Sequence, residues 1–196
     1  IGAGMGNLSR HLAPRRKRYI ASDIDDEHLA RLRVRLRHRP NLEVRQCDLE
    51  NPADFAPLDG QLDSVVCLNV LEHIADEQTG LRNMHRVLRP GGTAVVLVPQ
   101  GPHLMGSLDE ALGHQRRHTE ESLRRAMQQA GFAVRDTVKF NRIALPGWWW
   151  NGKILKRRTI GRCQLSIYDR LVWLWRRVDH YLPWEPASII GVGVKH

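Results

Sequence analysis

The sequence predicts an α/β domain with a doubly wound, mostly parallel sheet. Short apolar runs alternate with amphipathic helical stretches along most of the chain, and this alternation is typical of parallel strands joined by crossover helices. The 196 residues, of which 42% are hydrophobic, are enough for one domain with a sizeable core. No apolar run approaches the ~18 residues of a membrane-spanning helix. The three cysteines form neither a disulfide framework nor a metal-knuckle pattern.

The apolar runs are the predicted strands, and the predicted helices lie between them. The strands are Tyr19–Ala21, Leu42–Val44, Leu62–Leu68, Thr93–Val98, Phe132–Val138 and Ser188–Val194. The helices are Leu8–Ala13, Glu27–His38, Thr79–Leu88 and Glu120–Ala130. Because each helix carries the chain back to the start of another strand, we expect parallel pairing and helices on both faces of the sheet.

One helix needs a choice between two patterns. Residues 31–37 alternate arginine with apolar residues, as a strand does, but Leu29, Leu32 and Leu36 also recur at helical spacing. We predict a helix, because two parallel strands need a crossover here. Asp25 or Asp26 is suited to its N-terminus.

Turn and capping residues mark other boundaries. Residues 89–92, Arg-Pro-Gly-Gly, predict a turn before the strand that follows. Thr119 is a good N-cap for the helix that begins at Glu120, and Gly131 is suited to its end.

The formal charge of +9 is unevenly distributed. Residues 10–45 hold 11 basic against 5 acidic side chains, and residues 151–182 hold 8 against 2, so the rest of the chain is slightly acidic. Basic zones are typical of contacts with nucleic acid, anionic lipid or acidic substrates. The alternative is an arginine-rich solvated surface.

A glycine cluster stands where a strand should turn into a helix. Gly2, Gly4 and Gly6 would let the backbone approach a ligand closely, next to the free N–H groups of a helix N-terminus. In a dinucleotide fingerprint the third glycine or alanine comes three positions after the second. That position is Asn7 here, which favours a mononucleoside ligand over NAD or FAD.

Polar residues follow the second, third and fourth strands. Asp23 is placed to accept hydrogen bonds from a ribose diol, and Asp48 from an exocyclic amine. Asn69 and Val70 end the fourth strand, at the carboxyl edge where open sheets bind ligands. The alternative roles are an N-cap for Asp23 and a turn residue for Asp48.

These motifs together resemble those of class I S-adenosylmethionine-dependent methyltransferases, in order and spacing, over residues 1 to about 140. The segments that carry the resemblance are Gly2–Gly6, Asp23-Ile24, Cys47-Asp48-Leu49, residues 68–74 (Leu-Asn-Val-Leu-Glu-His-Ile) and residues 87–92 (Val-Leu-Arg-Pro-Gly-Gly). The resemblance implies a Rossmann-like sheet with an antiparallel last strand. It also implies a full first strand before Gly2, of which only Ile1 remains, so we expect residues 1–196 to be one N-terminally truncated domain.

The resemblance further implies S-adenosylmethionine as the cofactor and a set of residues around it. The glycines would line its methionine end, Asp23 would hold the ribose, Ile24 would pack on the adenine, Asp48 and Leu49 would contact the adenine edge, and Asn69 would sit near the amino group and sulfonium. The implied set is Gly2, Ala3, Gly4, Gly6, Asp23, Ile24, Asp48, Leu49, Asn69 and Val70.

The second half of the chain is similar to a narrower group of bacterial methyltransferases, some of which are fused behind a glycosyltransferase domain. The segments concerned are residues 114–119 (His-Gln-Arg-Arg-His-Thr), 130–132 (Ala-Gly-Phe), 146–149 (Pro-Gly-Trp-Trp) and 188–195 (Ser-Ile-Ile-Gly-Val-Gly-Val-Lys). A glycosyltransferase is therefore an expected partner or fused domain, and a cytoplasmic location is expected.

Methyl transfer is an in-line displacement, so a proton acceptor should lie at the carboxyl edge. Four histidines qualify by position, His73, His103, His114 and His118. We favour His73 and His114 as catalytic. The alternatives are that His73 pins its loop and that His114 makes an ordering contact with Asp109 or Glu110.

A pair of arginines and a group of possible metal ligands lie near these histidines in the sequence. Arg116 and Arg117 are candidates for an acidic substrate, with a solvated loop face as the alternative. Glu72, His73 and Asp76 lack a diagnostic ligand spacing, so no metal site is predicted.

Residues 141–186 interrupt the alternation with a helical, aromatic and basic insert. It contains Trp148–Trp150, a basic run at Lys153–Arg162 and a helical pattern at Leu165–Leu182 with Trp173 on its polar face. This composition is compatible with peripheral contact with the inner membrane face and a lipid-linked substrate. The alternatives are a lid over the sheet edge, a substrate pocket or a dimer contact.

The sequence thus predicts S-adenosylmethionine-dependent methylation, at oxygen, of a small-molecule, glycan or lipid-linked acceptor. An RNA methyltransferase is the first alternative, but the chain has no Asn/Asp-Pro-Pro-aromatic motif for base amines, so no nucleic-acid partner is expected. A degenerate domain that binds the cofactor without catalysis is the second.

Overall fold

The computed structural model describes residues 1–156, 159, 166, 168 and 170–196. The strands are β1 (Tyr19–Asp23), β2 (Leu42–Gln46), β3 (Leu62–Leu68), β4 (Leu88–Pro99), β5 (Ala133–Phe140) and β6 (Ser188–Val194). The α-helices are α1 (Ser9–Leu12), α2 (Asp26–Arg35), α3 (Pro52–Phe55), α4 (Glu77–Val87), α5 (Ser107–Leu112), α6 (Glu120–Gln129), α7 (Ala144–Trp149) and α8 (Val172–Val178).

The strands confirm the predicted α/β sheet. β1 pairs with β2 and β3 pairs with β4, both in parallel. β6 lies between β4 and β5 and is antiparallel to both, in the order β3-β4-β6-β5. The last strand is therefore the antiparallel one, as the resemblance implied.

β1 and β3 are not hydrogen-bonded to each other in the described structure; the first residues of the chain lie between them. The amide of Ala3 donates to the carbonyl of Ser22 on β1 at 2.9 Å, and the amino group of Ile1 donates to the carbonyl of Val66 on β3 at 2.9 Å. A cavity of about 270 Å³ opens beside this bridge, lined in part by Tyr19 and Leu68. The full first strand stays a prediction.

The main core lies between the four-stranded sheet and the layer formed by α3, α4 and α6. Leu81 and Met84 of α4, Leu123 and Met127 of α6, and Val96 of β4 are fully buried there. A smaller cluster packs Leu32 and Leu36 of the α2 region against Ala21 of β1. The apolar periodicity of each helix thus covers the sheet face beneath it.

The ambiguous stretch at residues 31–37 is mainly helical, as predicted. The Asp25 carboxylate caps α2 by accepting from the amides of Glu27 and His28, which satisfies two N–H groups that have no partner inside the helix. α2 ends at Arg35 rather than at the predicted His38.

The predicted turn at residues 89–92 is present as an irregularity inside β4, which begins at Leu88. Leu62 and Ser64 of β3 pair with Leu88 and Thr93, so residues 89–92 bulge out of the ladder, and Gly91 has a left-handed φ of +78°. Gly91 donates to the carbonyl of Lys195 at 2.7 Å, and the amide of Lys195 donates to the carbonyl of Gly92 at 2.9 Å. These hydrogen bonds join β4 to the end of the chain, about 100 residues away in sequence, so a local turn motif cannot predict them.

The insert is helical where it is described. α7 continues into one π-helical turn at Trp150–Ile154, and α8 is followed by a 3₁₀ turn at Asp179–Tyr181. Trp173 is exposed, as its place in the polar face predicted, and Tyr181 is 78% exposed. Leu165, Ile167 and Asp169, and most of the basic run after Lys156, lie outside the described residues. No helix in the described ranges is both long enough and apolar enough to cross a bilayer.

Helix α6 lies very close to β6, at two glycines. A Cβ on Gly193 would lie 2.8 Å from Met127 Cε and 2.9 Å from Phe132 Cβ, and a Cβ on Gly191 would lie 2.6 Å from Met127 Sδ. Core packing leaves no room for these atoms. The motif in the last strand therefore has a packing role.

We expect Gly193→Ala to lower the free energy of unfolding by roughly 1–3 kcal/mol, because overpacking forces Met127 and Phe132 to move. Urea denaturation measures the change. Gly147→Ala is the control, since a Cβ there has no atom within 4 Å. Equal stability of Gly193→Ala and the wild type would contradict the packing argument.

Candidate cofactor cleft and histidine cluster

The glycine loop is shaped by backbone conformations that favour glycine. Gly2, Gly4 and Gly6 have φ of +65°, +52° and +80°, in the left-handed region. A Cβ on Gly2 would lie 2.1 Å from Val70 Cγ2, so this glycine lets the loop contact the end of β3. A Cβ on Gly4 would have no atom within 4 Å. The loop thus presents free space at Gly4, as a ligand cradle requires.

The Asp23 carboxylate is tied to this loop at the carboxyl end of β1. Oδ2 accepts from the amide of Gly4 at 2.7 Å, and Oδ1 accepts from the amide of Asp25 at 3.1 Å. Asp23 is buried. Each oxygen keeps a second lone pair, so the carboxylate can accept from a ribose diol without losing the contacts that position it.

Ile24, Asp48 and Leu49 are the candidate contacts of an adenine ring. Ile24 follows Asp23 and is 63% exposed, an apolar surface beside a polar site. Asp48 forms a local turn in which its Oδ1 accepts from the amide of Glu50 at 2.9 Å, the alternative role that the sequence suggested. Leu49 is buried in the core, so only its backbone is available to a ligand edge.

Asn69 and Val70 close the cleft at the end of β3. Asn69 is exposed, with a left-handed φ of +53°, and its amide donates to the carbonyl of Leu97 at 3.0 Å. Asparagine tolerates this conformation better than most residues. The open Gly4, the tethered Asp23 carboxylate, the exposed Ile24 and Asn69 fit a nucleoside with an amino-acid arm, the shape of S-adenosylmethionine.

Beyond Val70, two histidines meet at the same edge of the sheet. The rings of His73 and His114 are in edge contact, with centroids 4.8 Å apart. His114 Nδ1 lies 2.8 Å from Asp109 Oδ1, so the ordering contact considered for His114 is present. That contact leaves Nε2 of His114 free of Asp109.

Asp109 is fully buried and has several donors. Arg117 Nε donates to Oδ1 at 2.7 Å, the amide of Gly106 donates to Oδ2 at 3.0 Å, and the indole N–H of Trp148 donates to Oδ2 at 3.4 Å. Burial opposes the charge, but the hydrogen bonds from His114 and Arg117 outweigh it and hold the pKa of Asp109 below its ordinary value. No sequence motif links Trp148 to this carboxylate, which lies 39 positions away in the chain.

Glu72 has the opposite environment. It is 1% exposed, and neither carboxylate oxygen has a hydrogen-bond partner among the described residues. Burial raises the pKa of Glu72, and burial together with the nearby His114 lowers the pKa of His73. Ligand atoms of Glu72, His73 and His114 all lie within 4.8 Å of one another.

The other side chains of this loop are occupied by structural contacts. Arg116 donates to the carbonyls of Ile74 and Ala75 at 2.7 and 2.9 Å, and Arg117 is buried against Asp109. The two arginines therefore hold loops together, and the solvated loop face considered for them is wrong. Two of the four candidate histidines are not in the cluster: His118 contacts Glu77 at 3.3 Å, and His103 is exposed.

Comparison with known proteins agrees with this geometry. Residues 1–94 match the family model described as "Methyltransferase domain". A relative named "Probable S-adenosylmethionine-dependent methyltransferase", from Mycolicibacterium smegmatis, is 31% identical over 139 residues, which cover 70% of this chain and 52% of that protein. The ubiquinone biosynthesis O-methyltransferase of Pseudomonas aeruginosa is 37% identical over 93 residues, which cover 47% of this chain and 39% of that protein. The chain thus spans about half the length, or less, of these relatives.

Solved structures agree on the fold. An S-adenosylmethionine-dependent methyltransferase from Mesorhizobium loti superposes with a TM-score of 0.66 at 16% identity, covering 99% of this chain and 88% of that one. Motifs, sheet order and relatives together support a class I S-adenosylmethionine-dependent methyltransferase. The cofactor of this class is S-adenosylmethionine.

We expect Asp23→Ala to weaken S-adenosylmethionine binding about ten- to a hundredfold, because a hydrogen bond to a charged group contributes roughly 1.5–3 kcal/mol. Calorimetric titration of the protein that carries this chain measures the affinity. Asp63→Ala is the control, since Asp63 is exposed at the amino end of β3, where it pairs with Arg89. Equal affinities of wild type and Asp23→Ala would refute the ribose contact.

Proposed function

We propose that this protein transfers the methyl group of S-adenosylmethionine to a hydroxyl oxygen of a small-molecule acceptor. The observation that carries the proposal is the pair His73 and His114, which meets beside the cofactor cleft with His114 oriented by a buried carboxylate. The cofactor supplies an activated methyl on a sulfonium, which leaves as a neutral thioether. The protein aligns the acceptor, excludes water and accepts the hydroxyl proton.

The cleft residues divide these tasks. Asp23 and the glycine loop would hold the ribose and the methionine arm. Asn69 and Val70 follow β3 directly and precede His73 in the same loop. Because the carboxyl ends of β3 and β4 lie at one edge of the sheet, an acceptor placed there reaches both the methyl group and the imidazoles.

His114 is the better-oriented proton acceptor of the pair. When its Nδ1–H donates to Asp109, its Nε2 carries the lone pair, and the ring cannot rotate without breaking a buried hydrogen bond. The edge contact with His73 limits the ring on its other side. A correctly placed general base contributes typically 10²–10⁴-fold to a rate.

The acceptor class is supported by one group of relatives. The ubiquinone biosynthesis O-methyltransferases match 47% of this chain, which favours oxygen as the methylated atom. The proposal also includes glycan and lipid-linked acceptors. A glycosyltransferase partner rests on the resemblance of the second half of the chain alone.

We expect His114→Gln to lower the turnover number by roughly 10²–10⁴-fold, because the displacement loses its base, while S-adenosylmethionine binding is unchanged. The measurement is formation of S-adenosylhomocysteine with a panel of hydroxyl acceptors and their amine analogues. His38→Gln is the matched control, because His38 is exposed and follows α2 toward the amino end of β2.

Three results would contradict the proposal. If His114→Gln turned over as fast as the wild type, His114 would not be the general base. Transfer to RNA and to none of the small acceptors would favour the RNA methyltransferase, and cofactor binding without any transfer would favour a degenerate domain.

We also propose that the insert binds peripherally to anionic membrane surfaces. Trp149, Trp150 and Ile154 are about half exposed, and Lys153 and Lys156 lie beside them. Exposed tryptophan beside lysine suits the headgroup region, where the ring is partly buried and the cation meets anionic lipid. An acceptor with a lipid chain would then be reached without leaving the membrane.

We expect the double substitution Trp149→Ser, Trp150→Ser to reduce co-sedimentation with phosphatidylglycerol vesicles, because it removes the apolar anchor. Neutral phosphatidylcholine vesicles should retain less protein than anionic ones. Val34→Ser, which removes an exposed apolar side chain from α2, is the control. Equal sedimentation of the double variant and the wild type would exclude this surface.

A further inference from the structure

We infer that Glu72, His73 and His114 bind one divalent transition-metal ion. One carboxylate oxygen and two imidazole nitrogens lie within 4.8 Å of one another, and they come from two loops that meet only in the folded chain. Two histidines and one carboxylate are a common ligand set for zinc and for iron(II). The inference goes beyond cofactor binding and deepens the proposed function, on which its catalytic consequence rests.

The first observation is the environment of Glu72. Its side chain is almost completely buried, and no described residue donates a hydrogen bond to either oxygen. The nearest buried cation, Arg117, already pairs with Asp109 at 2.7 Å. The charge of Arg117 also attracts Glu72, but this guanidinium is shared with Asp109, so the Glu72 carboxylate has no hydrogen-bonded cation of its own among the described residues. Buried carboxylates are normally paired or bound to metals, and a divalent ion supplies the missing charge.

The second observation is independent of Glu72. His114 uses Nδ1 to contact the buried Asp109, which leaves Nε2 as its available ligand atom. Histidines that bind metals almost always donate their other N–H to a carboxylate or carbonyl, which fixes the ring and raises its basicity. Asp109 is itself held by Arg117, Gly106 and Trp148. Such a supported carboxylate–histidine pair matches the outer shell of a metal site.

The distances fit an ion after a small movement. Bonds from zinc to nitrogen and oxygen are about 2.0–2.2 Å, so two ligand atoms of one tetrahedral ion lie about 3.4 Å apart. The separations of up to 4.8 Å therefore need to shorten by roughly 1.4 Å at most, which side-chain rotation supplies. Three protein ligands leave at least one position of the ion open, and the acceptor hydroxyl is the group that would take it.

An ion here changes how the acceptor is activated. A bound ion would stabilise the acceptor oxygen once its proton is lost to bulk solvent. The oxygen would then attack the methyl carbon, so that the carbon–oxygen bond forms as the carbon–sulfur bond breaks and the neutral thioether leaves. The histidines would in that case hold the ion rather than accept the proton themselves. The two arrangements predict different responses to a chelator.

The test is direct metal binding. The protein that carries this chain is stripped with a chelator and titrated with Zn²⁺ by calorimetry, and Co²⁺ loading is followed by visible absorption. We expect one saturable equivalent and the absorption of a four- or five-coordinate cobalt ion. Glu72→Gln, which keeps the size of the side chain, and His114→Gln should each weaken binding at least about tenfold, while S-adenosylmethionine binding confirms that the variants fold.

The control is His38→Gln, an exposed histidine outside the cluster, which should leave binding unchanged. The ion site would be overturned if no saturable equivalent of metal bound. It would also be overturned if the wild type, Glu72→Gln and His114→Gln bound the metal with equal affinity. Full methyl transfer in excess chelator with no metal bound would also overturn it and leave the histidine base of the proposed function standing. Metal binding without transfer to any hydroxyl would reject the proposed function and keep the site.

Discussion

The buried carboxylate of Asp109 is the contact on which the candidate active site depends. It joins three parts of the chain that are far apart in sequence: the loop before α5 through Gly106, the loop before α6 through His114 and Arg117, and the insert through Trp148. Removing one partner of a buried pair typically costs 3–5 kcal/mol, against about 0–1 kcal/mol for an exposed pair. The position of His114 is therefore set by packing as much as by its own loop.

The sheet provides the second constraint. The carboxyl ends of β1, β2 and β3 bring Asp23, Asp48 and Asn69 toward one edge, and the loops after β3 and β4 bring the histidines to the same edge. The backbone bridge at Ile1 and Ala3 ties the two strand groups together at the glycine loop. The candidate cofactor cleft and the histidine cluster are neighbours because parallel strands end together.

Much of this arrangement is local and was predictable. Glycines at positive φ, a carboxylate just after a strand and capping residues such as Asp25 and Thr119 act within a few residues, so their patterns predict their roles. The start of β4 and the contact of Trp148 with Asp109 were not predictable, because each depends on a partner tens of residues away. The burial of Glu72 without a hydrogen-bond partner was not predictable either, because its motif does not indicate which groups surround it.

The sequence alone determined the α/β class of the chain and the order of its strands, and it predicted the residues of the cofactor cleft, since these follow from periodicity and short motifs. Only the tertiary structure decided which histidine contacts Asp109, that Arg116 and Arg117 hold loops rather than face solvent, and that Glu72 is buried without a partner. The reason is physical: hydrogen bonding and burial depend on contacts between distant segments, and these exist only once the helices have packed on the sheet.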